Sequence, residues 1–165
     1  WDFTRHDIPK DLAARGVDDA EALPNYPWRD DALRMWTIIE RYVTGMVEDA
    51  FDRGLERPIH LYWGVRQRRD MYLARLPEQW QREHANFHVV PVLSHATAED
   101  AWSGRTGLVH EAMLSDFPDL SGHQVYACGA PIVVDSARAD YTTKAGLPSD
   151  DFFADSFTSE ADKAP

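Results

Sequence analysis

The chain has 165 residues, 44% hydrophobic and 27% charged, which suits one globular domain of moderate size or a domain with an appendage. A formal net charge of -11 excludes a broad nucleic-acid or anionic-membrane surface, because both need clustered positive charge. Cys128 is the only cysteine, so no internal disulfide forms, and this points to a reducing compartment such as the cytoplasm. No apolar run reaches membrane-spanning length.

Residues 1–29 carry no sustained period, and Leu23-Pro24-Asn25-Tyr26-Pro27 is a turn-rich stop. A short helix over Lys10 to Arg15, ended by Gly16, is the one regular element expected there. Leu33, Trp36, Val43 and Val47 then recur at helical spacing, which predicts a long helix from about Asp31 to Arg53, closed by Gly54.

From Pro58 the rhythm changes to alternating strands and helices. Ile59–Gly64 reads as a strand, and Asp70–His84 as helical, with Asp70 as N-cap and Pro77 forcing a break. Phe87–Leu93 is a second strand, placed at a sheet edge because Pro91 cannot donate to a ladder. His95–Thr106 is a loop, and Gly107–Asp116 a helix with Leu108, Met113 and Leu114 inward. The apolar run at Gln124–Cys128 predicts a strand covered on both faces, followed by a helix over Ile132–Lys144 and a last strand over Phe152–Phe157. Ser159–Pro165 is a polar tail. The alternation implies an α/β fold with a mostly parallel sheet and right-handed crossovers.

Two stretches carry candidate chemistry. In Cys128-Gly129-Ala130-Pro131 a strand ends in a glycine turn and feeds a helix opened by proline. Open α/β sheets bind nucleotides at such places, and the free N–H groups of a helix start attract anions. The bland reading is a small buried cysteine at a strand end. Gly64-Val65-Arg66, with Arg68 and Arg69, lies just past another strand end, where a guanidinium fork suits a phosphate or ribose edge. The bland reading there is a solvated basic patch. Gly104-Arg105-Thr106-Gly107 offers a weaker phosphate loop. No metal site is expected: His84 and His88 are four apart, but the second falls in a strand, so they share no helix face. His60 and His110 read as ordinary buried or half-buried histidines.

Six segments in order carry a family resemblance. They are Arg57–Arg66, Asp70–Leu73, Asn86–Ser94, Trp102–Gly107, Val125–Pro131 and Phe152–Phe157. Through them, residues from about 46 to 157 resemble the pyridine-nucleotide domain of ferredoxin reductase-like flavoproteins, of the type that feeds oxygenases or deoxysugar dehydratases. The family's first strand and its Gly-Thr-Gly-type loop do not precede Met46. The resemblance therefore implies a Rossmann-like sheet of order 3-2-(1 missing)-4-5. Leaving buried backbone groups unpaired costs on the order of 1–3 kcal/mol each, so the strands at Ile59 and Val125 are expected to pair directly.

Residues 1–45 resemble a lipoxygenase segment instead, through Asp2–Asp7, Asp11–Asp19 and Leu23–Leu33. The chain thus looks chimeric, with a lipoxygenase-like arm over 1–45, a truncated reductase domain over 46–158 and a tail over 159–165. The reductase resemblance implies that Cys128 is the catalytic-side residue beside a nicotinamide. It also implies that Gly64, Val65, Arg66, Arg69, Gly129, Ala130 and Pro131 bind cofactor, and that Phe157 lies near a flavin. The expected cofactor is NAD(P)H, bound weakly or lost because the glycine loop is missing. FAD would be bound only through a domain absent from this chain, and flavin-binding and iron–sulfur domains are the implied partners. Two alternatives stand beside this: a non-catalytic interaction module without ligand, and a lipoxygenase fragment without its iron site.

Overall fold

The computed structural model describes residues 43–71 and 75–156. The chain divides into two compact units, Trp1–Gly54 with Phe157–Pro165, and Leu55–Ser156. In the first, residues 43–52 form helix α1. Its closure is the one expected at Gly54. The Gly54 N–H donates to Phe51 O at 2.9 Å, and the glycine adopts φ 63°, where a side chain would be strained. The part of that helix predicted before Val43, the lipoxygenase-like arm, Phe157 and the tail lie outside the described residues.

In the second unit, β1 (Ile59–Val65) pairs in parallel with β2 (Phe87–Leu93), from Ile59 opposite Phe87 to Val65 opposite Leu93. A two-residue strand β3 (Arg105–Thr106) pairs in parallel with Val92 and Leu93. Further along, β4 (Val125–Gly129) and β5 (Phe152–Ser156) form a second parallel sheet. Helices α2 (Arg75–Glu83), α3 (Val109–Asp116) and α4 (Pro131–Lys144) make the connections. Pro77 sits in the first turn of α2, where its missing N–H leaves no intrahelical bond unmade, so the helix begins just before it. Asp70 is not the N-cap of that helix. It is the last residue of a 3-10 turn, Arg68–Asp70, and its carboxylate accepts the Gln67 N–H at 3.0 Å.

Backbone direction explains how Pro91 is tolerated. The Ser94 N–H donates to Val65 O at 2.9 Å, so even-numbered residues of β2 face β1 and odd-numbered ones face outward. On that outer side the Phe87 N–H reaches His84 O at 3.1 Å, and the Val89 N–H reaches Gln81 Oε1 at 2.8 Å. Pro91 has no N–H to satisfy. The strand is therefore not the outermost, as Pro91 suggested, but β3 covers it only beyond the proline. Phe87, Val92 and Leu93 are almost fully buried, and Trp80 of α2 packs edge-on to Phe87 with ring centroids 5.6 Å apart.

The second sheet has its own core. Leu120, Val125, Val134, Ala137, Tyr141, Leu147 and Phe152 are buried together, with Met113, Leu114 and Ala127 packed against them. Leu108, expected inward, is 49% exposed, and His110 and Ala112 take the buried positions of α3. Nor is β4 covered on both faces. Tyr126 and Phe153 lie on its open side, 47% and 39% exposed, their rings stacked at 4.9 Å.

The expected direct pairing of β1 with β4 does not occur: they belong to different sheets, and among the described residues the order in family terms reads 3-2, a break, then 4-5. The sheets are joined from one side instead. Helix α3 packs on β1, β2 and α4. Ring contacts run from His88 to His60 at 4.8 Å, from His60 to Phe117 at 4.8 Å and from Phe117 to His123 at 5.4 Å, just ahead of β4. Arg57 Nη1 also donates to Gln124 Oε1 at 3.5 Å. Among the described residues, these side chains tie the strands together without a backbone ladder.

Candidate functional site

At the end of β4, Cys128 is half-buried beside Asp155, its register partner. Burial first, and the Asp155 charge second, push its thiol up to about 11, so it is a neutral thiol at pH 7. Gly129 has φ 153°, a conformation that strains any side chain, and a β-carbon there would meet nothing within 4 Å. The backbone is thus open to close approach on that side. Ala130 follows in an extended conformation, and its carbonyl accepts the Val133 and Val134 N–H groups at 2.9 and 3.1 Å. Pro131 opens α4 at the position its fixed φ suits.

The thiol's environment has a direct consequence. Only the thiolate reacts with iodoacetamide, so alkylation of Cys128 is expected to rise about tenfold per pH unit from neutrality until about pH 11. A plateau near pH 8.5, the range of an ordinary cysteine, would show that burial does not act as described. The sign for stability follows. A raised thiol pKa favours the folded state at neutral pH, and that contribution fades as pH climbs from the ordinary thiol range toward about 11.

At the end of β1 the picture differs. A β-carbon on Gly64 would lie 2.6 Å from Val109 Cβ, so this glycine is required for packing against α3. The Val65 side chain is buried. Arg66 is exposed and forms no ion pair among the described residues, while its carbonyl accepts the His95 N–H at 2.8 Å. Arg68 is committed elsewhere: its N–H donates to Asp100 Oδ1 at 2.9 Å and its Nη1 to Asp100 O at 3.2 Å. Arg69 is exposed and lies close enough to help hold the Asp100 carboxyl below its usual range, although the Thr97 N–H is the main cause. The predicted residues therefore form two groups, Gly64 to Arg69 and Cys128 to Pro131. Among the described residues no hydrogen bond or ion pair links them.

The sequence reading missed a polar cluster between β1, β3 and α3. Tyr62 donates to Asp116 Oδ2 at 2.6 Å, Arg105 pairs with Asp116 Oδ1, and Arg105 Nη1 donates to Ala112 O at 3.1 Å. The Tyr62 bond and Arg105 hold the Asp116 carboxyl below its usual range, and burial with Asp116 pushes the Tyr62 phenol up. Arg105 is thus occupied inside the protein, which removes the main cation from the Gly104–Gly107 phosphate reading. A signal for the neighbouring turn was present in Thr97-Ala98-Glu99-Asp100, whose spacing is that of a capping box. Among the described residues no group of three or more His, Cys, Asp or Glu is placed to hold a metal, and no helix is long and apolar enough to cross a membrane.

Parallel strands joined by helices, with an open glycine and a proline-started helix at a strand's end, define an α/β domain of the nucleotide-binding type. Residues 41–139 match the oxidoreductase NAD-binding domain, and the chain belongs to that family. It is 40% identical over 116 residues to protein RfbI of Salmonella typhimurium, an alignment covering 70% of this chain and 34% of that protein. It is 39% identical over 115 residues to the CDP-6-deoxy-L-threo-D-glycero-4-hexulose-3-dehydrase reductase of Yersinia pestis, with the same coverage of 70% and 34%. Among solved structures, the Amycolatopsis cytochrome P450 reductase GcoB superposes with a TM-score of 0.64 at 27% identity, over 70% of this chain and 34% of that one. The chain thus spans about a third of the length of these relatives.

Proposed function

We propose that the chain is the NAD(P)H-binding module of a flavin-dependent, ferredoxin-type oxidoreductase. The observation that carries this reading is the end of β4, where a neutral half-buried thiol, an open positive-φ glycine and a proline-started helix follow one another within four residues. These residues fit a nicotinamide: an uncharged thiol beside the ring adds no charge, and Gly129 lets the backbone lie against it. When bound, the nucleotide supplies a hydride for a flavin held by another domain. Cys128 and Gly129 would orient the ring, and Ala130 and Pro131 would set the helix start beside it. Arg66, exposed and without an ion pair among the described residues, would reach a phosphate or the ribose edge, with Arg69 beside it. Electrons would pass on to an iron–sulfur centre, in a reducing compartment such as the cytoplasm.

Affinity should be low, because no glycine-rich loop faces β4 among the described residues, and such a loop supplies much of a pyrophosphate cradle. Isothermal titration with NADPH and NADH is expected to give heat only at high ligand concentration, weaker still in Arg66→Ala. Absence of heat at millimolar ligand, on the order of the weakest specific affinities, would overturn the reading.

A further inference from the structure

Three imidazoles meet around one phenylalanine where α3 ends against β1. His60 and His88 are register partners on β1 and β2, and their rings stack at 4.8 Å with planes 26° apart. Phe117, the residue after α3, sets its ring edge-on to His60 at 4.8 Å and to Tyr62 at 6.5 Å. His123 closes the row against Phe117 at 5.4 Å. The turn from Phe117 to His123 is thus held at both ends by rings. Its middle is pinned separately: Leu120 is fully buried, and its N–H donates to Ala145 O at 2.7 Å. Phe117 is half-buried, while all three histidines are exposed, so protons from bulk water reach them. The charged and titratable groups around His60 come from each neighbouring segment. Its own strand brings Tyr62, and Arg57 lies ahead of it, bonded to Gln124, which in turn donates to Asp151. β2 brings His88. The end of α3 brings Asp116, held by Tyr62 and Arg105, and the turn brings His123 with Asp119 beside it.

We propose that this row of rings is an acid-operated clasp: protonation of its imidazoles releases Phe117 and His123 from β1, while Leu120 keeps the middle of the turn in place. Neutral rings stack, but imidazolium rings at the His60–His88 spacing of 4.8 Å repel each other, and a charged ring is better hydrated away from a phenylalanine edge. Loss of hydration in the stack is the main cause that holds the His60 imidazole below its ordinary value, His88 and His123 add to it, and Asp116 opposes them. The sign follows from this. The clasped form disfavours a proton on His60, so protons favour the released form, and release grows as pH falls from the ordinary histidine value of 6.5. It levels off once His60 is charged in the clasped form as well. The turn leads into β4 at the end opposite Cys128, so the clasp sets how firmly the start of that strand is held. The proposal rests on ring packing and holds whether or not NAD(P)H binds.

The test is amide hydrogen exchange on the full chain from about pH 7.5 to about 5.5, either side of the ordinary histidine value, read as protection relative to the unstructured rate at each pH. Protection of the Phe117 and His123 N–H groups, which bond Met113 O and Leu120 O, should fall about threefold or more on acidification. The Leu120 and Ser94 N–H groups, bonded to Ala145 O and Val65 O, should keep theirs. His60→Phe keeps a ring and removes the proton site, so most of the pH dependence should vanish; His60→Gln gives the same comparison with a smaller side chain. In proton NMR of the unaltered chain the His60 Cε1–H should titrate below 6.5. Flat protection at Phe117 and His123, an equal fall at Leu120 and Ser94, an unchanged fall in both variants, or a His60 midpoint at or above 6.5 would each overturn the proposal.

Discussion

Phe87→Ala should cost the Leu55–Ser156 unit about 3–5 kcal/mol, the range for emptying a buried aromatic site. Phe87 is 1% exposed, begins β2 and meets Trp80 of α2 edge-on at 5.6 Å, so the lost ring removes sheet-to-helix packing as well as area. The ladder to β1 over seven residue pairs holds the β2 backbone against collapse into the space. Small domains have about 5–15 kcal/mol in all, so the variant should unfold at a far lower urea concentration. Urea titration followed by tryptophan fluorescence gives the number. A loss under about 1 kcal/mol would mean that the α2–β2 contact is not a core contact.

The second large effect is expected from the smallest possible change. Gly64→Ala puts a β-carbon 2.6 Å from Val109 Cβ, and its partner there is anchored to the helix backbone rather than at the end of a flexible side chain. Helix α3 must shift from β1, at a cost of about 1–3 kcal/mol typical of overpacking. The Tyr62–Asp116 bond crosses the same contact and would be strained with it. A double-mutant cycle isolates the cause. Val109→Gly should be destabilising alone yet should relieve much of the Gly64→Ala penalty, giving a coupling of about 1 kcal/mol or more. Strictly additive effects in chemical denaturation would show that Gly64 is needed for another reason. That outcome would return it to the ligand-binding role which its position past a strand end suggested.

Much of the architecture was legible. The strand at Phe87–Leu93 has the same bounds in the sequence reading and in the structure, that at Ile59 runs one residue further, and that at Val125 is shifted by one residue at both ends, because β-branched and aromatic runs bounded by Gly, Pro and Asn are local signals. Pro131 at the helix start and Gly54 at a helix end were readable for the same reason. The Cys128–Pro131 turn was legible as a candidate because strand, glycine and proline are neighbours in the chain. Asp70 was misplaced because an acidic residue can cap from the third position of a turn as well as from the first, and the residue sequence is alike in both. Leu108 was misread as inward because the phase of an eight-residue helix rests on too few apolar positions to be fixed without its neighbours.

The sequence alone determined the kind of elements, their order, the parallel α/β class and the residues at each strand's end, all of which depend on neighbours within a few positions. Only the tertiary structure decided how the strands lie side by side. The rings of His60, Phe117 and His123 and the Arg57–Gln124 bond join residues up to 67 positions apart, and they bring two sheets together without a shared ladder. The same distance in sequence hid the Tyr62–Asp116–Arg105 cluster and the collision that makes Gly64 obligatory. Which strands pair depends on contacts between segments that no local pattern couples, and among the described residues β1 and β4 fall in separate sheets.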